Sequence, residues 1–79
     1  MDLSFYYQLG AAAKCGIDEN HNYVPVFVKI NLTTKEEKTI EEIKLIESTY
    51  RDQFIAGFSI TPEDVTIISK EEYILHTGE

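Results

Sequence analysis

The feature that most constrains the fold of this chain is the segment 39–56, which has the pattern of an amphipathic helix. Thr39 is of a residue type that caps helix N-termini, and Glu42, three positions later, completes a capping box. Apolar residues then recur at the spacing of one helix face. They are Ile40, Ile43, Ile46, Tyr50 and Phe54, with Leu45 and Ile55 widening the stripe. We predict a helix over 39–56 that Gly57 caps. A second capping box upstream leaves open a start near Thr34.

Residues 23–32 have the clearest strand pattern. Alternate residues are apolar, and most of them are β-branched, which favours extended structure. The alternation places Val24, Val26, Val28, Ile30 and Leu32 on one face and Tyr23, Pro25, Phe27, Lys29 and Asn31 on the other. Pro25 has no amide hydrogen to donate to a neighbouring strand. We therefore expect this strand at a sheet edge, or with Pro25 facing outward.

Residues 3–15 permit two interpretations. An alternation of period two favours a strand, and the run Phe5–Tyr7 is typical of strands as well. The run Ala11–Ala13 favours a helix, although Gly10 would lie inside it. We predict a strand here. Residues 16–22 are polar and turn-forming, so they are predicted to be a loop that joins two strands.

Shorter signals follow the helix: Thr61 and Ser69 are capping residues, Pro62 suits a first helical position, and an apolar run begins at Val65. They predict a helical turn at Thr61–Asp64, a short strand at Val65–Ser69, a helical turn from Ser69 through Leu75 and a frayed tail after it. A strand that continues to Ile74 is the alternative to the last turn.

The elements therefore follow one another in the order strand, strand, helix, strand within a single domain, residues 1–79. Two long strands joined by a loop form a hairpin, and the helix that follows packs on one of its faces. We predict an α+β fold: a small antiparallel three-stranded sheet with one long helix on one face. The third strand joins either beside the first strand or outside the second.

The charge of the chain restricts its partners. The formal net charge is −7, from 7 basic and 14 acidic residues. Nucleic acids and anionic membranes bind through lysine and arginine, so both are unfavoured as partners. No apolar run is long enough to span a membrane, and Asp2 stands where a signal peptide would carry a basic residue. A single cysteine, Cys15, forms no internal disulfide. We predict a cytoplasmic protein.

No segment forms a recognisable catalytic, metal or cofactor motif. Cys15 and His21 lie six residues apart, a spacing that matches no zinc site, and His76 is the only further imidazole. The paired carboxylates occur at predicted helix starts, where they favour the helix dipole. They are Glu41 with Glu42 and Glu63 with Asp64. We predict neither enzymatic activity, nor a metal, nor a cofactor.

The feature with most functional interest is the outer face of the two long strands. Tyr6, Tyr23 and Phe27, together with Pro25, are expected on the face opposite the helix. One helix covers one face of a small sheet, so these residues form an exposed apolar patch in this prediction, and such patches mark partners. We predict a non-catalytic interaction or regulatory module that binds a second copy or another protein there.

Three other interpretations stay open from the sequence. The aromatic residues can be ordinary half-exposed side chains. The acidic balance is also compatible with an inhibitor or nucleic-acid mimic that blocks a basic partner protein. An enzyme would need a pocket, most plausibly between subunits, and Cys15 or His21 would be the residue to test.

Overall fold

The computed structural model describes residues 1–14 and 16–78. It contains five strands and two helices within those residues. They are β1 (Asp2–Leu9), β2 (Gly16–Ile17), β3 (Tyr23–Val24), β4 (Val26–Thr33), α1 (Ile40–Phe58), β5 (Val65–Ile67) and α2 (Lys70–Thr77). Short 3-10 turns lie at Ala11–Ala13 and Pro62–Asp64. The chain therefore has the predicted α+β class.

The main sheet is antiparallel and three-stranded, in the order β4-β1-β5. Strand β1 pairs with β4 along its whole length, from Asp2 opposite Thr33 to Leu9 opposite Val26. Strand β5 pairs with the other side of β1, where Leu9 lies opposite Val65. The third strand thus joins beside the first, which was one of the two predicted arrangements, and β1 becomes the central strand.

The core lies between β1 and α1. Leu3, Phe5, Tyr7 and Leu9 alternate inward from β1 and are each 9% exposed or less. The rings of Phe5 and Tyr50 lie 5.8 Å apart, and those of Tyr7 and Phe54 lie 5.2 Å apart. Aromatic pairs at these separations stabilise packing beyond the area that they bury. These contacts hold α1 over the central strand.

The predicted helix is confirmed, with one correction at its end. Thr39 Oγ1 accepts a hydrogen bond from the Glu42 amide, and the Thr39 amide donates to the Glu42 carboxylate. The capping box therefore fixes the start at Ile40. The prediction that Gly57 caps the C-terminus is wrong: the helix continues to Phe58, and Ser59, with φ of 54°, caps it by donating to the Ile55 carbonyl.

Two strand predictions also need correction. Strand β1 ends at Leu9, because the Gly10 amide turns aside to donate to the Asp64 carbonyl at 2.7 Å, and a 3-10 turn follows. Residues 23–32 are interrupted at Pro25, which separates β3 from β4. Strand β3 pairs with Gly16–Ile17, inside the segment predicted as loop. The predicted position of Cys15 at a strand end lies outside the described residues.

The end of the chain forms a second helix. Ser69 Oγ accepts from the Glu72 amide at 3.1 Å, as the capping box predicts, and α2 then continues to Thr77. The alternative of a strand to Ile74 is wrong. Tyr73 of α2 is 8% exposed, and its ring lies 5.1 Å from that of Tyr6. This helix therefore packs on the outer face of the sheet, opposite α1.

Candidate interaction surface

The four residues predicted as an interface do not form one exposed patch. Tyr6 packs against Tyr73, and Phe27 stacks on His76 with ring centroids 4.6 Å apart and planes 8° apart. Tyr23 is 49% exposed, near the Lys14 ammonium, and Pro25 is exposed beside it. The expectation that this face is uncovered is wrong for Tyr6 and Phe27, because α2 covers them. A binding role for the four residues stays a prediction.

A shallow cleft remains between α2 and the outer face of the sheet. Its volume is about 100 Å³, and its lining residues are Tyr6, Lys29, Lys70, Tyr73 and Ile74. Two of the chain's 7 basic residues thus border this cleft. The outer face is therefore less acidic here than the net charge of the chain suggests.

The inner face of the sheet is covered unevenly. The inward residues of β1 are buried, whereas those of β4 are half-buried although they belong to the same apolar layer. These β4 residues are Val26, Val28, Ile30 and Leu32. Helix α1, whose residues are all described, fully buries none of its own side chains. The helix thus leaves the inner face of β4 partly open.

A groove runs between the end of β4 and α1. It has a volume of about 350 Å³ and is lined by Leu32, Leu45, Ile46, Thr49, Tyr50 and Gln53. Leu45, Thr49 and Gln53 are spaced by four residues, so they form one line along the helix surface. None of them is charged, although the helix as a whole carries several acidic residues. Leu45 is 68% exposed at this flank.

The outer edge of β4 carries unpaired backbone groups within the described part of the chain. The Met1 amine donates to the Thr34 carbonyl, and the Thr34 amide donates to the Met1 carbonyl, each at 2.8 Å. This doubly bonded pair fixes which residues of β4 bond to β1, that is, the phase of the β1–β4 ladder. In an antiparallel ladder these doubly bonded pairs alternate with pairs whose groups point away. The amides and carbonyls of Phe27, Lys29, Asn31 and Thr33 therefore point away from β1.

The other side of β1 confirms this phase. The Ile68 amide donates to the Tyr6 carbonyl at 3.0 Å, so Tyr6 directs its backbone toward β5 and not toward its β4 neighbour, Lys29. Strand β5 is only 3 residues long, whereas β4 has 8. A long edge strand is a template for pairing with another chain, and a short one is not. Strand β4 is the edge that offers such a template.

Two titrating groups are tied to the helix that borders the groove. The Tyr7 hydroxyl donates to the Glu47 carbonyl at 2.8 Å. Burial raises the pKa of this phenol well above its ordinary value, and the nearby Glu47 and Tyr50 add to the rise. The Thr39 amide and hydroxyl lower the pKa of the Glu42 carboxyl through hydrogen bonds. Both groups thus anchor α1, one at its middle and one at its start.

The residues considered for chemistry lie apart from this surface. His21 is in an exposed turn with φ of 64°, and Glu42 and Asp64 are engaged in caps with Thr39 and Thr61. Cys15 lies outside the described residues. Among residues 1–14 and 16–78, no group of three potential metal ligands comes together. No helix in that part of the chain is long and apolar enough to cross a bilayer.

Comparisons with protein-family models, with curated proteins and with solved structures gave no match. Pro25 predicted a sheet edge at residues 23–32, but a binding role for this edge and for the flank of α1 was not predicted. The sequence nevertheless contained a signal for each surface. Residues 23–32 together with β1 supply more inward apolar residues than one helix can cover. Helix α1 carries the uncharged line of Leu45, Thr49 and Gln53.

Proposed function

We propose that this chain is a non-catalytic protein-interaction module, and that it binds its partner through β4 and the adjacent flank of α1. The observation that carries the proposal is the uneven cover of the sheet. Inward side chains on β1 are at most 9% exposed, whereas the equivalent residues of β4 are only half-buried. Apolar surface that a chain leaves in contact with water favours association, because burial removes that surface from water.

The flank suits a protein partner better than a small ligand. The groove is open and shallow, and its rim combines a hydroxyl and an amide, from Thr49 and Gln53, with the exposed Leu45. Apolar centres with polar rims are typical of protein interfaces. The backbone groups along β4 add directional hydrogen bonds that water satisfies when no partner is present.

Photo-crosslinking tests the proposal in cells that express the chain. A photoreactive amino acid replaces Leu45 in one variant and Lys44 in a matched control. Both positions are exposed, but one helical residue turns the side chain by about 100°, which directs Lys44 away from the groove. We expect a covalent protein adduct, of whatever identity, at Leu45 and much less at Lys44. Equal adduct yields at the two positions, or none at either, would contradict the proposal.

A further inference from the structure

The outward backbone groups along the edge of β4 are complementary to those of a second, antiparallel β4. This inference rests on the proposed function and names the partner. We propose that the partner is a second copy of the chain, which pairs β4 with β4 in antiparallel orientation about a two-fold axis at Ile30. The two sheets then continue into one another through their edge strands. A two-fold dimer requires a self-complementary surface, and the residues of β4 supply one.

The backbone phase fixes which registers are allowed. Phe27, Lys29, Asn31 and Thr33 direct their amides and carbonyls outward, so these residues must face one another across the axis. With Ile30 on the axis, Lys29 lies opposite Asn31 of the second copy and Phe27 lies opposite its Thr33. All four outward residues then pair in both chains. About eight hydrogen bonds join the two strands in this register.

The neighbouring registers are less favourable. A shift of two residues in one direction places Lys29 opposite Lys29 of the second copy, and like charges directly opposite are destabilising. The same shift in the other direction leaves Phe27 beyond the end of the partner strand. A shift by one residue places the outward backbone groups of one β4 opposite residues of the other β4 that already bond to β1. It also places apolar side chains of one copy on the solvent face of the other. The register about Ile30 satisfies every outward group of β4.

The side chains agree with this register. On the inner face, Ile30 meets Ile30 of the second copy, and Val28 meets its Leu32, so the half-buried layers join. On the outer face, Phe27 and the stacked His76 lie at one end of β4. In this register the two Phe27–His76 contacts lie about 20 Å apart along the paired strands, so they do not overlap.

Charge is compatible with a second copy in spite of the net charge of −7. Residues 26–33 contain no acidic side chain and one lysine. The flank of α1 that borders the groove contributes Leu45, Thr49 and Gln53, which are uncharged. Two identical acidic chains repel each other over most of their surface. At β4 and the adjacent flank of α1, two copies can approach without placing carboxylates opposite one another.

The area that a stable dimer buries requires the flank of α1 to take part in the interface. A standard interface buries about 800 Å² on each partner, which is roughly a seventh of the chain's 5667 Å² surface. A strand of eight residues is about 27 Å long and presents a narrow edge. Strand pairing alone therefore falls short of a stable dimer. The groove beside Leu32 and the exposed Leu45 supply the additional apolar area.

Register-specific crosslinking tests the proposal in the full chain, with Cys15 replaced by serine so that one cysteine remains. Ile30→Cys places two thiols directly opposite across the axis, where Cβ atoms are about 5 Å apart. Val28→Cys is the matched control, since its two copies lie about 13 Å apart, beyond the reach of a disulfide. We expect oxidation to give a covalent dimer with Ile30→Cys and little with Val28→Cys. Equal yields from the two variants would overturn the register.

Sedimentation equilibrium of the chain and of two variants at Lys29 provides the second arm. Lys29→Pro removes an outward amide hydrogen, whereas Lys29→Ala removes the charge and keeps that hydrogen. We expect dimer dissociation constants at least about tenfold weaker for Lys29→Pro and within about threefold of the original for Lys29→Ala. A strictly monomeric chain overturns this inference. If Leu45 nevertheless crosslinks to a different protein in cells, the proposed function stands and only the identity of the partner is wrong.

Discussion

Among single residues, Tyr7 joins the two halves of the core. It is fully buried on the central strand, and its hydroxyl donates to a carbonyl in the middle of α1. The alternation of β1 predicted an inward side chain at this position, but it does not distinguish Tyr7 from Phe5 or Leu9. The hydrogen bond depends on where α1 crosses the sheet, which is a tertiary relation that local sequence does not encode.

Tyr7 should make the chain sensitive to high pH. Its pKa in the folded chain is raised by burial, so the unfolded chain ionises first. The stability linked to Tyr7 is therefore complete below about pH 10, the ordinary tyrosine pKa, and is lost as the pH rises above it. We expect Tyr7→Phe to cost about 1 kcal/mol at neutral pH and to reduce the alkaline loss. Urea unfolding between pH 7 and 11 measures both.

The control for that experiment is Tyr6→Phe, which leaves the Tyr7 phenol in place and should retain most of the alkaline loss. An equal effect of the two substitutions on the slope of stability against pH would show that Tyr7 is not the linked group.

Thr39 is the second residue with a separable role, since it starts α1. Thr39→Ala removes the side-chain acceptor of the Glu42 amide, and we expect a loss of about 1 kcal/mol in the free energy of unfolding. Ser48→Ala, at an exposed position inside the same helix, should be neutral or slightly stabilising because alanine has the higher helix propensity. Thermal unfolding followed by circular dichroism compares them. A similar loss in both would contradict the assigned cap.

Glu42 gives this cap a dependence on acid. Hydrogen bonds from Thr39 lower its pKa in the folded chain. The contribution is therefore present above about pH 4.5 and is lost as the pH falls through the lowered pKa. Glu42→Gln should make the stability of the chain less dependent on pH between about 5 and 3, which acid titration of the circular dichroism signal measures. An unchanged acid profile would contradict the linkage.

At the scale of elements, the local signals were strong where a side chain bonds to nearby backbone and weak where partners are distant in sequence. The caps at Thr39 and Ser69 were predicted because each involves residues three apart. The end of β1 at Leu9 was not, since it depends on the contact of Gly10 with the remote carbonyl of Asp64. The break at Pro25 was not predicted either, although the missing amide hydrogen of proline is a local signal. The cover of the outer face by α2 was missed because it too depends on contacts between segments that are distant in sequence.

Helix α2 should contribute to stability through one side chain. Tyr73 is 8% exposed and packs on Tyr6, whereas Leu75, two residues later, is 78% exposed. We expect Tyr73→Ala to lower the free energy of unfolding by about 3 kcal/mol, as for other large buried aromatics. Leu75→Ala should change it by less than about 0.5 kcal/mol. Denaturant unfolding of the two variants makes the comparison. A loss for Leu75→Ala that equals that for Tyr73→Ala would contradict the packing of α2 on the sheet.

For the whole molecule, the uneven cover of the sheet is the property that links fold to function. A sheet of three strands with α1 over its centre and α2 on its outer face leaves β4 open on its edge and half-open on its inner face. The sequence supplied the composition of this surface, but its position became visible only once β1 was known to be central. The proposed dimer closes both openings with the same set of residues.

The most direct test of the proposed β4–β4 dimer is amide hydrogen exchange, resolved by residue, along β4. The amides of Val28, Ile30 and Leu32 point to β1 and should be protected in the single subunit. Those of Phe27, Lys29, Asn31 and Thr33 point outward, and we expect them to become protected at high protein concentration and to lose protection on dilution. The proposed dimer is contradicted if these four amides exchange freely at the highest concentration at which the chain stays dissolved, while their neighbours remain protected.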